Sequence, residues 1–156
     1  RRRHTRYPLV TGVQTCALPI CGPIGYDLVS LLKDCYIDWP REQVVAWLRA
    51  HRDTLRRAGC EAAIGVDEEQ FIRWFDLIGV QRHVKVLGIF ARLAWRDQKS
   101  GYLDDLPLTL RYVQESCARY PELAAFGAWL ARRAAPELAA ANERARAYID
   151  RSRADA

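Results

Sequence analysis

Beyond residue 21 the apolar side chains recur at helical spacing almost without interruption, and no alternating run is long enough for a strand. Leu28, Leu31, Leu32 and Cys35 fall at i, i+3, i+4 and i+7, which puts them on a single stripe. The pattern predicts a helix from Ile24 to Tyr36, approached by Gly22-Pro23, and then a turn at Asp38-Trp39-Pro40. Pro40 suits the first turn of a second helix, where its missing N–H costs nothing. That helix carries Val44, Leu48, His51 and Leu55 on one face and is expected to end at Gly59, a natural left-handed cap. Asp67 and Gln70 have the spacing of a capping box. The helix they open presents Phe71, Trp74, Phe75 and Ile78, and Gly79 is expected to break or bend it. Val80, Val84, Leu87 and Ala91 start a further stripe that runs to about Arg96, followed by a polar turn at Asp97-Gln98-Lys99-Ser100-Gly101. Three more helices are expected, from about Pro107 to Arg119, Pro121 to Arg133 and Pro136 to Arg151, each with proline in its first turn. The expected fold class is all-α, with about six helices.

Residues 1–20 have none of this patterning. Val10-Thr11-Gly12-Val13-Gln14-Thr15-Cys16-Ala17-Leu18-Pro19-Ile20 resembles the translation of a short-read sequencing adapter. Arg1-Arg2-Arg3-His4-Thr5-Arg6 resembles the flow-cell end of the same oligonucleotide, in the same frame. Tyr7-Pro8-Leu9 fills the gap where that oligonucleotide carries a sample index. Residues 1–20 are therefore expected to be adapter-derived, with coding sequence starting within the codon for Cys21. The absence of Met fits a truncated reading frame.

The seam changes the meaning of the charge. The whole chain carries a formal +5, which by itself suggests a nucleic-acid or membrane-surface partner. Arg1, Arg2, Arg3 and Arg6 supply four of those charges, and without them the remainder stands at +1. No nucleic-acid partner is expected from such a balance. The arginines are not followed by an apolar core of the kind a secretory signal needs. No apolar run approaches membrane-spanning length, so no membrane partner is expected either. Five Trp and seven Tyr in a half-apolar chain argue against disorder. Past the seam, Cys35, Cys60 and Cys117 form no C-x-x-C pair and no zinc spacing, which fits reduced thiols and no metal site.

Three segments carry a family resemblance. The first is Gly22-Pro23-Ile24-Gly25-Tyr26-Asp27-Leu28-Val29-Ser30-Leu31-Leu32-Lys33-Asp34, which resembles the stretch just after the metal-binding motif of aminoglycoside-phosphotransferase-like kinases. The second runs from Phe71-Ile72-Arg73-Trp74-Phe75-Asp76 through Gln81-Arg82-His83 to Leu93, and the third is Arg96-Asp97-Gln98-Lys99-Ser100-Gly101-Tyr102-Leu103. Together they are similar to the bacterial anomeric kinases for N-acetylmuramate and N-acetylglucosamine, used in cell-wall recycling. The resemblance covers roughly Gly22 to Leu130.

It implies a cytoplasmic parent with a two-lobed, protein-kinase-like fold, using ATP and magnesium on an amino sugar. In that family the His-x-Asp catalytic loop and the Asp-Phe-Gln-Asp-type metal motif both precede the Gly-Pro-Ile segment. The chain is therefore expected to be a C-terminal helical fragment with no catalytic residues, no cofactor of its own and no activity alone. The expected division is an adapter-derived 1–20, a helical C-lobe piece at 21–133, and a C-terminal helix with tail at 134–156.

Asp27 is a candidate support for the catalytic loop in the parent; the alternative is a plain helix N-terminal acid favoured by the macrodipole. Trp74, Asp76, Arg82 and His83 are the candidate sugar contacts. A Trp face stacks on a pyranose, Asp accepts hydroxyl protons, and Arg grips a lactyl carboxylate bidentately. Against this, Trp74 lies on an apolar stripe, where aromatic residues are usually core, and the alternative for Asp76 and Arg82 is solvated surface charge. The arginine-rich stretches 49–57 and 132–153 read as solvated helix faces, with RNA or phosphate contact as the weaker alternative. Two other readings stay open: a stand-alone helical binding module, and a kinase of the same superfamily acting on an aminoglycoside or small alcohol.

Overall fold

The computed structural model describes residues 24–154, and among them every regular element is helical. Gly22-Pro23 and the adapter-like segment lie outside the described residues. Helix α1 is Tyr26–Leu32, α2 is Arg41–Arg57, α3 is the single turn Glu61–Ile64, and α4 is Glu68–Asp97. A 3-10 turn at Ser100–Leu103 leads to α5, Leu106–Arg119. A second at Pro121–Leu123 leads to α6, Ala124–Arg133, and α7 is Ala135–Ala154. Six helices are therefore longer than one turn among the described residues. The short α3 carries too few residues for a periodic signal.

Helix α4 organises the rest. At 30 residues it is about 45 Å long, given a rise of about 1.5 Å per residue. Asp67 caps it as its spacing predicts, accepting the Gln70 N–H at 2.7 Å. It is continuous through Gly79, so of the expected break or bend there the break does not occur. Its buried residues Phe71, Phe75, Gly79, His83, Phe90 and Ala94 form one stripe along its whole length. Gly79 and His83 sit in that stripe without being apolar enough to register, so one helix read as two. Val84 and Ala91, expected on the second stripe, are exposed. Trp74 is also exposed, so the core reading of that residue does not hold.

Three apolar clusters lie along this helix. Val29, Leu32, Val44, Leu48, Phe71 and Phe75 join α1 and α2 to its first half. Cys35, Phe90, Ala94, Leu103, Leu106 and Ile149 join its second half to α5 and α7. Leu110, Val113, Cys117 and Leu130 lock α5 to α6. Each large aliphatic or aromatic side chain so buried contributes about 1.5–3 kcal/mol relative to exposure.

Helix α1 is shorter than its apolar pattern predicts, and local chemistry gives the reason. Asp34 Oδ1 accepts the Cys35 N–H at 2.7 Å, a side-chain turn that competes with helix propagation. The Lys33 carbonyl is held by His83 Nε2 at 2.9 Å. Residues 33–40 therefore form an irregular segment between α1 and α2. Helix α2 starts just after Pro40, and Gly59 takes φ +76° beyond its end, a left-handed conformation that suits glycine.

Candidate functional site

Asp76 lies in the first third of α4 and is fully buried. Its carboxylate gathers side chains from three other parts of the fold. Arg41, the first residue of α2, donates NH1 to Oδ1 and NH2 to Oδ2, both at 2.7 Å. Lys33, just past α1, donates to Oδ1 at 3.2 Å. The Tyr120 hydroxyl, at the end of α5, donates to Oδ2 at 2.8 Å. Arg119 reaches the same oxygen at 3.5 Å. A carboxylate has about four lone-pair positions, and the shorter contacts fill them. Asp76 is thus not the solvated surface charge that its residue type suggests.

Burial pushes the Asp76 carboxyl up, but Lys33 and Arg41 outweigh it and hold the group below the usual carboxylate range. Burial draws the Lys33 ammonium down, against the pull of Asp76. Burial raises the Tyr120 hydroxyl, with the bond to Asp76 adding to it, so it stays a proton donor.

A second group of contacts fixes the irregular segment 33–40. His83 is buried and donates Nε2–H to the Lys33 carbonyl, and its ring stacks on Tyr112 at 5.0 Å. Burial lowers its pKa, with Lys33 and Arg82 nearby adding to that, so the ring is neutral near neutral pH. The Tyr112 hydroxyl donates to the Ile37 carbonyl at 2.8 Å. Arg111 pairs with Asp38.

The four candidate sugar contacts therefore divide. Asp76 and His83 meet in the interior around Lys33. Trp74 is 37 % exposed, and Arg82 is half-buried with its guanidinium over the Tyr26 ring at 5.4 Å. Asp27 is exposed in the first turn of α1. In the stretch 49–57, Arg49, Arg56 and Arg57 are exposed as expected, while Arg52 is half-buried and donates to the Val66 carbonyl at 2.7 Å. Lys33, Arg41, Arg119, Tyr112 and Tyr120 escaped the sequence reading. Lys33 alone left a trace there, as a cation directly following Leu31-Leu32.

A cavity of about 360 Å³ opens beside this cluster, with Lys33, Asp38, Arg41, Arg111, Tyr112 and Arg119 in its wall. A groove of about 600 Å³ lies on the other side of Arg41 and Arg119, and includes Glu68, Glu69 and Arg73. His51-Arg52-Asp53 has the His-x-Asp spacing of a kinase catalytic loop but lies inside regular α2, with Asp53 exposed. Among the described residues no group of three acidic, His or Cys side chains could hold a metal ion. No described helix is long and apolar enough to cross a membrane.

These features define an all-α scaffold built around a buried, multiply charged cluster, and comparison with known proteins gives its relationship. No family model matches the chain. It is nevertheless a relative of bacterial sugar kinases over about two thirds of its length. A protein of Neisseria meningitidis serogroup B named N-acetylmuramate/N-acetylglucosamine kinase is 48% identical over 103 residues, 66% of this chain and 30% of the relative. Proteins of the same name from Pseudomonas putida and Pseudomonas aeruginosa are 42% identical over 112 residues and 44% over 110. These matches take in 72% and 70% of this chain, and 32% of each relative. The chain thus spans about a third of the length of the curated relatives it matches.

Proposed function

We propose that this chain is the helical, acceptor-side part of a sugar kinase that phosphorylates the anomeric hydroxyl of N-acetylmuramate or N-acetylglucosamine. The observation that carries the reading is the 42% to 48% identity to three proteins that share that name. In this reading ATP and magnesium belong to the parent. The catalytic and nucleotide-binding motifs lie in the part of the parent that this chain does not match, and 1–156 alone is inactive. The parent works in the cytoplasm, with an amino sugar as its partner.

The geometry supports different tasks for the candidate residues. Trp74 and Arg82 are reachable from solvent and suit direct contact, the indole on a pyranose face and the guanidinium on a carboxylate. Asp76 and His83 act from beneath, fixing Arg41, Arg119 and the segment 33–40. Asp27 supports the catalytic loop from the start of α1. Residues 21–133 form the C-lobe piece, with 134–156 added as helix and tail.

The test is a chimera. Residues 24–133 replace the matching segment of the Neisseria meningitidis kinase, and ATP-dependent phosphorylation of N-acetylmuramate is followed. Retained activity is expected, with Trp74→Ala and Arg82→Gln raising KM for the sugar. A folded chimera that phosphorylates only an aminoglycoside or a small alcohol would move the assignment elsewhere in the superfamily. Magnesium-dependent phosphorylation by purified 1–156 would refute its inactivity.

A further inference from the structure

Asp76 has more cations than one carboxylate can balance. Lys33, Arg41 and Arg119 all reach it. The short bonds from Lys33, Arg41 and Tyr120 already occupy both oxygens, and Arg119 approaches Oδ2 only as a third, longer donor at 3.5 Å. The other acids in the cavity wall, Asp38 and Glu115, both face Arg111. Lys33, Arg41 and Arg119 therefore share the single charge of Asp76, and the cavity wall that Arg41 and Arg119 form keeps a net positive charge. Their side chains are 28% and 37% exposed, so water screens that charge only in part. Half-buried cations in excess are unfavourable until an anion joins them.

We propose that the cavity of about 360 Å³ beside Asp76 binds a small oxyanion, a carboxylate or phosphate group, between the guanidinium groups of Arg41 and Arg119. A planar guanidinium presents its N–H groups in the spacing of carboxylate or phosphate oxygens. Asp76 holds Arg41 in place through both terminal nitrogens and leaves Arg119 its remaining donors. The volume exceeds that of such a group, with room for bridging water at about 30 Å³ each. The groove on the other side of the same arginines is the poorer site, because Glu68 and Glu69 border it. This inference does not depend on the sugar-kinase reading.

The test titrates chain 1–156 with inorganic phosphate and, separately, with D-lactate at low ionic strength, following heat and melting temperature. Saturable binding of at least one anion is expected, with a melting temperature that rises with its concentration and an affinity that falls with added salt. Arg41→Gln also strips Asp76 of a partner and can unfold the chain, so Arg119→Gln is the deciding variant. It should weaken binding about tenfold or more, the equivalent of one charged contact, and melt close to the parent chain without ligand. Arg49→Gln, whose side chain pairs with Glu68 away from the cavity, should bind as the parent does. The arginines of residues 1–6 are common to all these proteins, so the difference between them reads the cavity. Stronger binding of D-lactate assigns the site to a carboxylate, and stronger binding of phosphate to a phosphoryl group. No saturable binding, or equal binding by folded Arg119→Gln, overturns the proposal.

Discussion

At Asp76 a single carboxylate ties α4 to Arg41 at the start of α2, to Lys33 after α1 and to Tyr120 after α5. Breaking a buried pair from one side leaves its partner charged and uncompensated, at a cost of about 3–5 kcal/mol. Asp76→Asn should lower the unfolding free energy by about that much in urea, whereas Arg49→Ala at the exposed pair with Glu68 should change it by less than about 1 kcal/mol. Acid should act in two steps. Both His83 and Asp76 have folded pKa values below their unfolded ones. Each therefore contributes stability at high pH that is lost as pH falls. For His83 the loss begins below about pH 6.5, and for Asp76 below about pH 3.9. The melting temperature of the chain should thus decline on going from about pH 7 to about pH 5. His83→Gln, which can still donate to the Lys33 carbonyl, should flatten that part of the profile.

At the scale of elements, two glycines make opposite predictions. Gly88 is exposed in the middle of α4 with open space where a Cβ would go. Gly88→Ala should raise stability by about 0.5–1 kcal/mol through helix propensity. Gly127 is where α6 presses on α5, and a Cβ there would sit 2.8 Å from Cys117 Cβ. Gly127→Ala must push the helices apart and should cost about 1–3 kcal/mol in chemical denaturation. Most elements were legible in the chain because capping and apolar spacing are local signals. Asp67, the prolines ahead of α2, in α5 and in α7, and Gly59 all fall close to where the elements begin or end. Helix α4 was misjudged at Gly79 because its buried stripe passes through a glycine and a histidine, which hydropathy counts as gaps.

For the whole molecule, the sugar-kinase and stand-alone-module readings differ in what should cover the surface around α1. Leu31, Tyr36, Ile37 and Trp39 are all exposed in or just after that helix. An acceptor-side piece of a larger kinase should bind a hydrophobic dye there, and lose that binding when fused to the preceding part of the Neisseria relative. A self-contained module should melt in one cooperative step without binding dye. Dye-free, cooperative melting of 1–156 would count against the kinase-fragment reading.

The sequence alone determined the helical class, most helix boundaries and the likeness to sugar kinases, because each rests on local patterning or on runs of residues read in order. It also singled out Asp76 and His83. Their placement was decided by tertiary structure. Lys33, Arg41, Arg119 and Tyr120 stand 35 to 44 positions from Asp76 along the chain, and each taken singly is an ordinary charged or aromatic residue. Only the packing of α1, α2 and α5 against one face of α4 gathers them on one buried carboxylate and withdraws them, wholly or in part, from water. That shared loss of water turns separate polar side chains into one buried, cation-rich cluster.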